Sequence, residues 1–304
     1  MSDAGGPGRS DGPLWRAMQL EQPLQIAGAI NAYFALLAQE AGFGAIYLSG
    51  AGVANASFGL PDLGLTKLED VVADVGRISG ASSLPLLVDA DTGWDQSPGV
   101  AVSTRRISAA GAAGMHLEDQ VAAKRCGHRA GKRLISSRKM AERIAAAVDA
   151  RTDEGFVIMA RTDAASVEGV PAAIDRAGRY VEAGADMIFA EALERLEDVR
   201  KFTDALRVPI MVNLTEFGRT PLFSRDEMRD AGAAVALYPL SAFRAAGAAA
   251  RRVYNTIRRD GTQKNVLEIM QTRDDLYRVL GYEQNERRAD RLLEEQSDGP
   301  REAE

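Results

Sequence analysis

The chain has 304 residues, 46% of them hydrophobic, with one cysteine and a formal net charge of −6. A hydrophobic share of this size can fill a substantial core. The negative charge argues against nucleic-acid partners, because nonspecific binding to nucleic acid needs a basic surface. A single cysteine allows no internal disulfide, which fits a reducing, cytoplasmic location. No apolar run approaches the roughly 20 residues needed to cross a bilayer, so we expect no membrane partner.

The two ends of the chain lack a hydrophobic pattern. Residues 1–13 are rich in Gly, Ser and Asp and contain no apolar stretch of the kind found in secretory signals, so they are predicted to form a disordered lead. Residues 294–304 are mostly charged and are predicted to be a solvated, disordered tail. No low-complexity linker interrupts residues 14–293, which we therefore predict to form a single domain.

Short apolar runs alternate with longer amphipathic segments through the middle of the chain. The short runs are too short for helices and rich in β-branched or bulky apolar residues, so they are predicted strands. The eight predicted strands are 24–27, 45–48, 86–90, 114–118, 157–161, 187–190, 210–213 and 235–238. Helical patterns between them include 31–41, 68–78, 139–151 and 172–183.

The alternation of strands and helices defines the expected fold. Gly42, Gly111 and Gly184 follow helical patterns, where a left-handed cap would lie. Eight strands alternating with helices over about 230 residues are typical of an α/β protein with a (β/α)8 TIM-type barrel. An open doubly wound sheet is the alternative. No Gly-x-Gly-x-x-Gly follows the first strand, which disfavours the dinucleotide-binding form of that sheet.

Polar residues stand at the carboxyl ends of six successive predicted strands, where a TIM-type barrel has its active site. One such residue alone often caps a helix or forms an ion pair, but six polar strand ends indicate a shared site. Residues two apart on a strand point to the same face, so Leu48, Ala90 and Leu117 between the polar pairs should face the helices. The polar residues are Tyr47, Ser49, Asp89, Asp91, His116, Glu118, Arg161, Glu191, Asn213 and Thr215.

Three of these residues indicate a metal site. Asp89, Asp91 and Glu118 would repel one another unless a positive group lay among them. A hard divalent cation with few protein ligands is the simplest such group, which predicts Mg2+, with Mn2+ as an alternative. Zinc is disfavoured because one cysteine and two histidines cannot provide a typical zinc shell.

Residues 124–128, with the sequence Lys-Arg-Cys-Gly-His, contain the only cysteine and one of the two histidines. Basic neighbours favour a thiolate or a reactive thiol at Cys126. Gly127 and Gly131 indicate a loop that can close over a substrate. The structural alternative is a small buried cysteine within a basic surface loop.

The 124–128 segment resembles the signature of the isocitrate lyase and phosphoenolpyruvate mutase superfamily, in its 2-methylisocitrate lyase branch. The resemblance covers residues 14–293 and rests on further motifs at 47–50, 59–64, 88–93, 116–120, 159–163, 213–218, 238–244 and 261–264. It implies a single barrel lyase domain that cleaves a 2-hydroxy tricarboxylate, 2-methylisocitrate, into pyruvate and succinate in the methylcitrate cycle of propionate catabolism. It also implies a cytoplasmic homotetramer in which a C-terminal helical extension packs on a neighbouring subunit.

The resemblance also implies residue roles. Asp89 and Asp91 are expected to hold magnesium, with Asp62, His116 and Glu118 around the metal and its waters. Expected substrate contacts are Ser49, Gly50, Ala51, Cys126, Gly127, Arg161, Glu191, Asn213, Leu214, Thr215, Arg244 and Arg273. Cys126 is expected to protonate the succinate carbanion, and the further catalytic candidates are Lys124, His128 and Tyr47. The base stays open between Tyr47 and a water-mediated role of Asp62 or Glu118.

Two stretches depart from the pattern of the family. The usual Ser-Gly-Gly-Gly is Ser-Gly-Ala-Gly at residues 49–52, which places Ala51 where the family has glycine. Residues 94–98 read Trp-Asp-Gln-Ser-Pro, where the family usually has a phenylalanine and a turn of smaller residues. Both stretches lie near the expected metal and substrate carboxylate, so they bear on fine substrate specificity.

Other functions remain as alternatives. Isocitrate lyase, which gives glyoxylate and succinate, shares the mechanism but usually has a longer chain. Phosphonopyruvate formation and oxaloacetate decarboxylation occur in branches that usually lack the Cys126 segment. A non-catalytic binding barrel is disfavoured because the metal carboxylates and Cys126 are all present. A Schiff-base aldolase using Lys124 would work without a metal.

Overall fold

The computed structural model describes residues 11–94 and 99–297. Eight parallel strands form a closed barrel in which each strand pairs with the next and β8 pairs with β1. The observed strands end within one residue of the predicted ranges, so the TIM-type barrel is confirmed and the open sheet is wrong. They are β1 Leu24–Gly28, β2 Ala45–Leu48, β3 Leu86–Asp89, β4 Gly114–Glu118, β5 Val157–Thr162, β6 Met187–Ala190, β7 Ile210–Asn213 and β8 Val235–Tyr238.

Helices connect the strands and continue after the last one. They are α1 Pro13–Leu20, α2 Ala32–Glu40, α3 Gly50–Gly52, α4 Leu68–Ala81, α5 Val100–Ala109, α6 Ser137–Ala150, α7 Val170–Glu182, α8 Leu196–Ala205, α9 Arg225–Asp230, α10 Ser241–Asp260, α11 Arg273–Leu280 and α12 Tyr282–Ser297. A π-helical turn, Val53–Ser57, follows α3, and 3-10 turns lie at Ala164–Ser166 and Lys264–Ile269. None of the helices in the described part of the chain is both long and apolar enough to cross a membrane.

The chain divides into two compact units, one up to Arg244 and one from Ala245 onward. The first unit contains the barrel. The second contains most of α10 together with α11 and α12. Helix α1 begins at Pro13, within the predicted lead, and α12 continues to Ser297, within the predicted tail. Residues 1–10 and 298–304 lie outside the described residues, so disorder at the two ends stays a prediction.

The strand side chains alternate between two hydrophobic layers. Leu48, Ala90 and Leu117 belong to the layer between barrel and helices, as predicted. The opposite positions fill the barrel interior, where Leu87 and Met159 are buried. Continuing the same alternation by two residues places polar groups above this inner layer at the carboxyl ends of the strands. Strand register therefore positions the part of the site that lies at the strand ends.

Glycine ends three of the helices in the way the sequence predicts. Gly42, Gly111 and Gly184 have φ values of +84°, +103° and +101°. Only glycine adopts this left-handed region without strain. Each glycine turns the chain from a helix toward the next strand, which helps to fix where the strands begin.

Candidate active site

The carboxyl ends of the strands surround a cavity of about 310 Å³ in the first unit. Most of the predicted site residues line it, so the structure brings them together. These are Tyr47, Ser49, Ala51, Asp62, Asp89, Lys124, Cys126, Gly127, His128, Arg161, Glu191, Asn213, Thr215 and Arg244. The wall residues are mostly polar or charged, which suits a small, highly charged ligand.

Asp89 is oriented by the backbone around it. Its Oδ2 accepts a hydrogen bond from Gly50 N at 3.0 Å, and its Oδ1 accepts one from Asp91 N at 3.1 Å. A Cβ added to Gly50 would lie 3.0 Å from Asp91 Oδ1 and 3.2 Å from Asp89 Oδ2. Burial opposes ionisation of Asp89, but His116, Lys124 and Arg161 lower its pKa below the usual range. A glycine at position 50 thus leaves room for two adjacent carboxylates.

Lys124 neutralises this acidic cluster. Its ammonium lies 2.7 Å from Asp62 Oδ1 and also forms an ion pair with Asp91. Burial raises the pKa of Asp91 to about 7, against the lowering effect of Lys124. Burial opposes the charge on Lys124, but Asp91, Glu118, Asp89 and Asp62 raise its pKa well above the usual range. Lys124 is therefore held as an ammonium, which disfavours the Schiff-base alternative because that chemistry needs a neutral amine.

The carboxylates also fit a hard metal ion. Glu118 is buried, and its Oε1 has no hydrogen-bond partner among the described residues. Burial raises the pKa of Glu118 well above its usual range, which a nearby cation would reverse. Residues 11–94 and 99–297 contain no set of three or more His, Cys, Asp or Glu side chains arranged as a metal shell. Asp89 and Asp91 offer carboxylate oxygens, the ligands that Mg2+ prefers, and Mg2+ usually takes few protein ligands and keeps several waters.

Tyr47 and His116 form a neutral pair beneath the carboxylates. Tyr47 Oη lies 2.8 Å from His116 Nε2, and the two rings stack with centroids 5.8 Å apart. Burial lowers the pKa of His116 to about 4, so the imidazole is neutral at pH 7. Burial raises the pKa of Tyr47 well above its usual range, and Asp89 adds to this effect. Tyr47 is thus a neutral hydroxyl, which argues against the role of base.

The Cys126 segment lies in a loop that is held at both ends. An antiparallel bridge joins Gln120 to Leu134, and the Gln120 amide exchanges hydrogen bonds of 2.9 and 3.0 Å with the backbone of Arg125. Burial raises the pKa of the Cys126 thiol, although the His128 N–H lowers it. Of the two alternatives for Cys126, this direction favours the protonated thiol over the thiolate. Its proton is retained at neutral pH, as an acid requires.

His128 joins this loop to the ends of β6 and β7. Its Nε2 lies 2.9 Å from Glu191 Oε1 and 3.2 Å from Asn213 Nδ2. Its Nδ1 accepts a hydrogen bond from Arg219 N at 2.9 Å, so Nε2 is the ring nitrogen that can donate to Glu191. Burial opposes ionisation of Glu191, but Arg161 and His128 lower its pKa to about 2. Through these contacts His128 links the Cys126 loop to the segments that follow β6 and β7.

Arg161 is the buried cation beside the loop. Its Nε and Nη2 lie 3.1 and 3.3 Å from the two carboxylate oxygens of Asp163, and its Nη2 lies 3.4 Å from Glu191 Oε2. Its Nε is also 3.6 Å from Glu118 Oε2. The guanidinium stacks over the Phe189 ring at 5.0 Å from the centroid. Arg161 also lines the cavity, so its guanidinium is within reach of a ligand carboxylate.

Of three further predicted substrate contacts, Arg244 lies at the cavity, whereas Leu214 and Arg273 do not line it. Arg244 lines the cavity and is half exposed, with Nε 3.6 Å from Glu216 Oε2. The Leu214 side chain does not line the cavity, because strand alternation turns it into the hydrophobic layer beneath the helices. Arg273 begins α11 in the second unit, where it is exposed, so its substrate contact stays a prediction. Of the departure at residues 94–98, positions 95–98 lie outside the described residues.

Several cavity residues were not predicted. They are Asn55, Arg125, Arg129, Phe189, Glu216, Phe217, Gly218, Leu237, Pro239 and Leu240. Phe189 and Leu237 occupy inward positions on β6 and β8, so strand alternation could have found them. Phe217 has a φ of +60° and is 95% exposed, a conformation that no sequence pattern signals.

Comparison with known proteins agrees with the fold and the cavity. The model of the phosphoenolpyruvate phosphomutase family matches residues 16–258. A solved 2,3-dimethylmalate lyase, described as a PEP mutase/isocitrate lyase superfamily member, superposes with a TM-score of 0.84 at 34% identity, covering 95% of this chain and 97% of that one. A phosphonopyruvate hydrolase complex with oxalate and Mg2+ superposes with a TM-score of 0.79 at 27% identity, covering 92% and 98%. The chain belongs to the phosphoenolpyruvate mutase/isocitrate lyase superfamily.

Sequence relatives narrow the assignment within that superfamily. The 2-methylisocitrate lyase of Salmonella typhimurium is 58% identical over 285 residues, covering 93% of this chain and 97% of the relative. That of Bacillus subtilis is 42% identical over 271 residues, covering 89% of each. By sequence, the chain belongs with the 2-methylisocitrate lyases.

Proposed function

We propose that the chain cleaves 2-methylisocitrate into pyruvate and succinate. The observation that carries this proposal is the content of the cavity, where one protonated thiol faces arginines and a pair of aspartates. Cys126, Arg161 and Arg244 line the same space as Asp89. The high identity to proteins named 2-methylisocitrate lyase supports the same substrate. The resemblance supports the methylcitrate cycle, the cytoplasm and a homotetramer as its setting.

The proposed cofactor is Mg2+, with Mn2+ as an alternative. Asp89 and Asp91 would hold the ion, with Asp62, His116 and Glu118 around its waters. When bound, such an ion lowers the pKa of the substrate hydroxyl and stabilises the alkoxide that forms during cleavage. A related phosphonopyruvate hydrolase has been solved with Mg2+ and oxalate, which supports this choice of metal.

The substrate is held by complementary charge and hydrogen bonds. The fork of Arg161 and the guanidinium of Arg244 bind carboxylates of the tricarboxylate. Asn213 and Thr215 donate neutral hydrogen bonds. Ser49 and the backbone of Gly50 and Ala51 bind the end of the substrate nearest to Asp89.

Cleavage then takes two proton transfers and the breaking of one carbon–carbon bond. The substrate hydroxyl gives its proton to a base, for which Asp62 or Glu118 through water is the candidate. The carbonyl of pyruvate forms as the adjacent carbon–carbon bond breaks, and the bonding pair remains on the succinate fragment. Cys126 donates its S–H proton to that carbanion, which completes succinate. Lys124 serves as the counterion of the carboxylates.

The substrate assignment has a direct test. Purified protein should release equal amounts of pyruvate and succinate from 2-methylisocitrate. Isocitrate should be cleaved to glyoxylate with a kcat/KM lower by about 10- to 200-fold, the effect typical of one missing methylene in an apolar pocket. Pyruvate and glyoxylate are distinguished by chromatography of their phenylhydrazones. Faster release of glyoxylate than of pyruvate would assign the chain to isocitrate instead.

The metal assignment can be tested by binding as well as by activity. EDTA should abolish turnover, and Mg2+ or Mn2+ should restore it, because the carboxylate cluster needs a cation. Binding of Mn2+ is counted by electron paramagnetic resonance, with one ion expected per chain. Asp91→Asn should lose that ion. Asp226→Asn, at an exposed ion pair of α9, should retain it. Full activity in EDTA would refute the metal site.

A further inference from the structure

A second buried lysine lies at the far end of the Cys126 loop. The Lys132 side chain is 2% exposed, and its ammonium lies 3.0 Å from Asp163 Oδ1. It also donates a hydrogen bond to the carbonyl oxygen of Gly127, the residue after Cys126. A buried ammonium loses several kcal/mol of hydration, so lysine is rarely buried without a specific partner. The structural role of Lys132 therefore follows from its two partners, Asp163 and the Gly127 carbonyl oxygen.

The first partner, Asp163, is shared with Arg161. Arg161 Nε lies 3.1 Å from Asp163 Oδ2, while Lys132 binds Oδ1 of the same carboxylate. Asp163 is fully buried, and its own N–H donates to Asp119 Oδ1 at 2.9 Å. One rigid carboxylate thus joins the lysine of the loop to the arginine of β5.

The second partner places the loop against the same arginine. A Cβ added to Gly127 would lie 2.6 Å from Glu191 Cγ and closer still to Arg161 Nη2. The Gly127 backbone therefore packs directly on the guanidinium, with no space for a side chain. Lys132 holds the carbonyl oxygen of this residue, so the peptide has one fixed orientation beside Arg161.

We infer that Lys132 is a positioning residue that sets the Cys126 thiol relative to Arg161. Its ammonium ties the Gly127 carbonyl to Asp163, and Asp163 orients the guanidinium. The Cys126 thiol and the Arg161 guanidinium are then held at a fixed distance from each other. The thiol therefore lies next to the carbanion of the fragment that Arg161 binds. The kinetic part of this inference rests on the proposed lyase function, whereas the loop geometry can be tested without a substrate.

Lys132→Met removes the ammonium and keeps most of the length and apolar volume of the side chain. We expect kcat to fall about 100-fold, the effect of a roughly 1 Å misplacement of a reacting group. KM for 2-methylisocitrate should change less than about threefold, because Arg161 retains its bonds to Asp163 and its place in the cavity wall. Iodoacetamide should label Cys126 about tenfold faster, since the released loop exposes a thiol whose reaction depends on access.

A matched control separates position from charge. Lys201 on α8 pairs with Asp198 at 2.8 Å, and its side chain is 54% exposed. Lys201→Met should leave kcat, KM and the labelling rate of Cys126 unchanged. In a double-mutant cycle, Asp163→Asn combined with Lys132→Met should lower kcat by less than the product of the two single effects, because both changes remove the same link.

The outcomes are distinct. If Lys132→Met lowers the melting temperature but keeps kcat within about threefold and the labelling rate unchanged, the lysine is only structural and the inference is overturned. If Lys132→Met does not fold, Lys132→Arg serves as the test, because it keeps the positive charge. Labelling of Cys126 at the wild-type rate would support the link from Gly127 to Asp163. Labelling about tenfold faster at a native melting temperature would overturn it. If the wild-type protein does not cleave 2-methylisocitrate, the proposed function fails, yet the labelling comparison still decides the role of Lys132.

Discussion

Cys126→Ser is expected to lower kcat by about 10²–10⁴-fold, the range typical of a lost general acid. Burial raises the pKa of the Cys126 thiol, so its proton is present at neutral pH and available to the carbanion. A serine hydroxyl is a far weaker acid, and each pKa unit corresponds to about 1.4 kcal/mol. Pyruvate, succinate and the metal should bind nearly as in the wild type, because the substituted side chain has similar size. Steady-state kinetics and calorimetric titration of the products measure the two quantities.

The direction of the pH effect follows from the same shift. The acid form of Cys126 is lost as the pH rises through its raised pKa, so this group predicts a decline of turnover on the alkaline side. Labelling by iodoacetamide needs the thiolate and should still be rising at pH 9. Since the chain has a single cysteine, Cys126→Ser should take up no label. A near-normal kcat in that variant would remove the thiol from the mechanism and leave the loop with a binding role.

The barrel was predictable because its signals are local. A period of two along each strand separates the residues that face the helices from those that face the interior, and Leu48 and Leu117 follow it. Gly111 and Gly184 end helices with a left-handed conformation that their sequence position already indicates. The same alternation predicted that Asp89 and Arg161 would meet at one end of the barrel.

The sequence was least informative for side chains whose partners are distant in the chain. The expectation of a thiolate or a reactive thiol at Cys126 rested only on its basic neighbours in sequence. In the structure, the ammonium of Lys124 is engaged by Asp62 and Asp91, and burial dominates the pKa of the thiol. The link between Lys132 and Asp163 spans 31 residues and leaves no periodic signal in the sequence. The effect of a basic residue on the pKa of a neighbouring thiol therefore depends on which carboxylates the basic residue already pairs with, and the sequence does not show that pairing.

Substitution of Arg161 by lysine tests whether the planar shape of the guanidinium, and not only its positive charge, is needed to bind a carboxylate. Its guanidinium faces three carboxylates, those of Asp163, Glu191 and Glu118, at distances of 3.1 to 3.6 Å. Phe189 supports the plane of the group at 5.0 Å. A lysine ammonium would keep the charge but could neither stack as a plane nor offer two parallel donors to a carboxylate. The fork therefore holds protein carboxylates, and we propose that it also binds a carboxylate of the substrate.

Arg161→Lys should fold but lose about 2–5 kcal/mol of transition-state stabilisation, the usual effect of breaking a buried charged contact. That range corresponds to a fall in kcat/KM of about 30- to several-thousand-fold. Arg161→Met should in addition lower the free energy of unfolding by about 3–5 kcal/mol, because it leaves buried carboxylates without their counterion. Kinetics and denaturant melts measure these two effects.

The matched control for this prediction is Arg176, another arginine with a bidentate carboxylate partner. Its Nε and Nη2 both lie 2.7 Å from Glu168, and it does not line the cavity. Arg176→Lys removes the same fork geometry, so it should lower stability slightly while kcat/KM stays at the wild-type value. A wild-type kcat/KM in Arg161→Lys would mean that the substrate carboxylate is bound elsewhere. Arg244 would then be the remaining clamp in the cavity, and the acid at Cys126 would have to act on a fragment held from the opposite side of the barrel mouth.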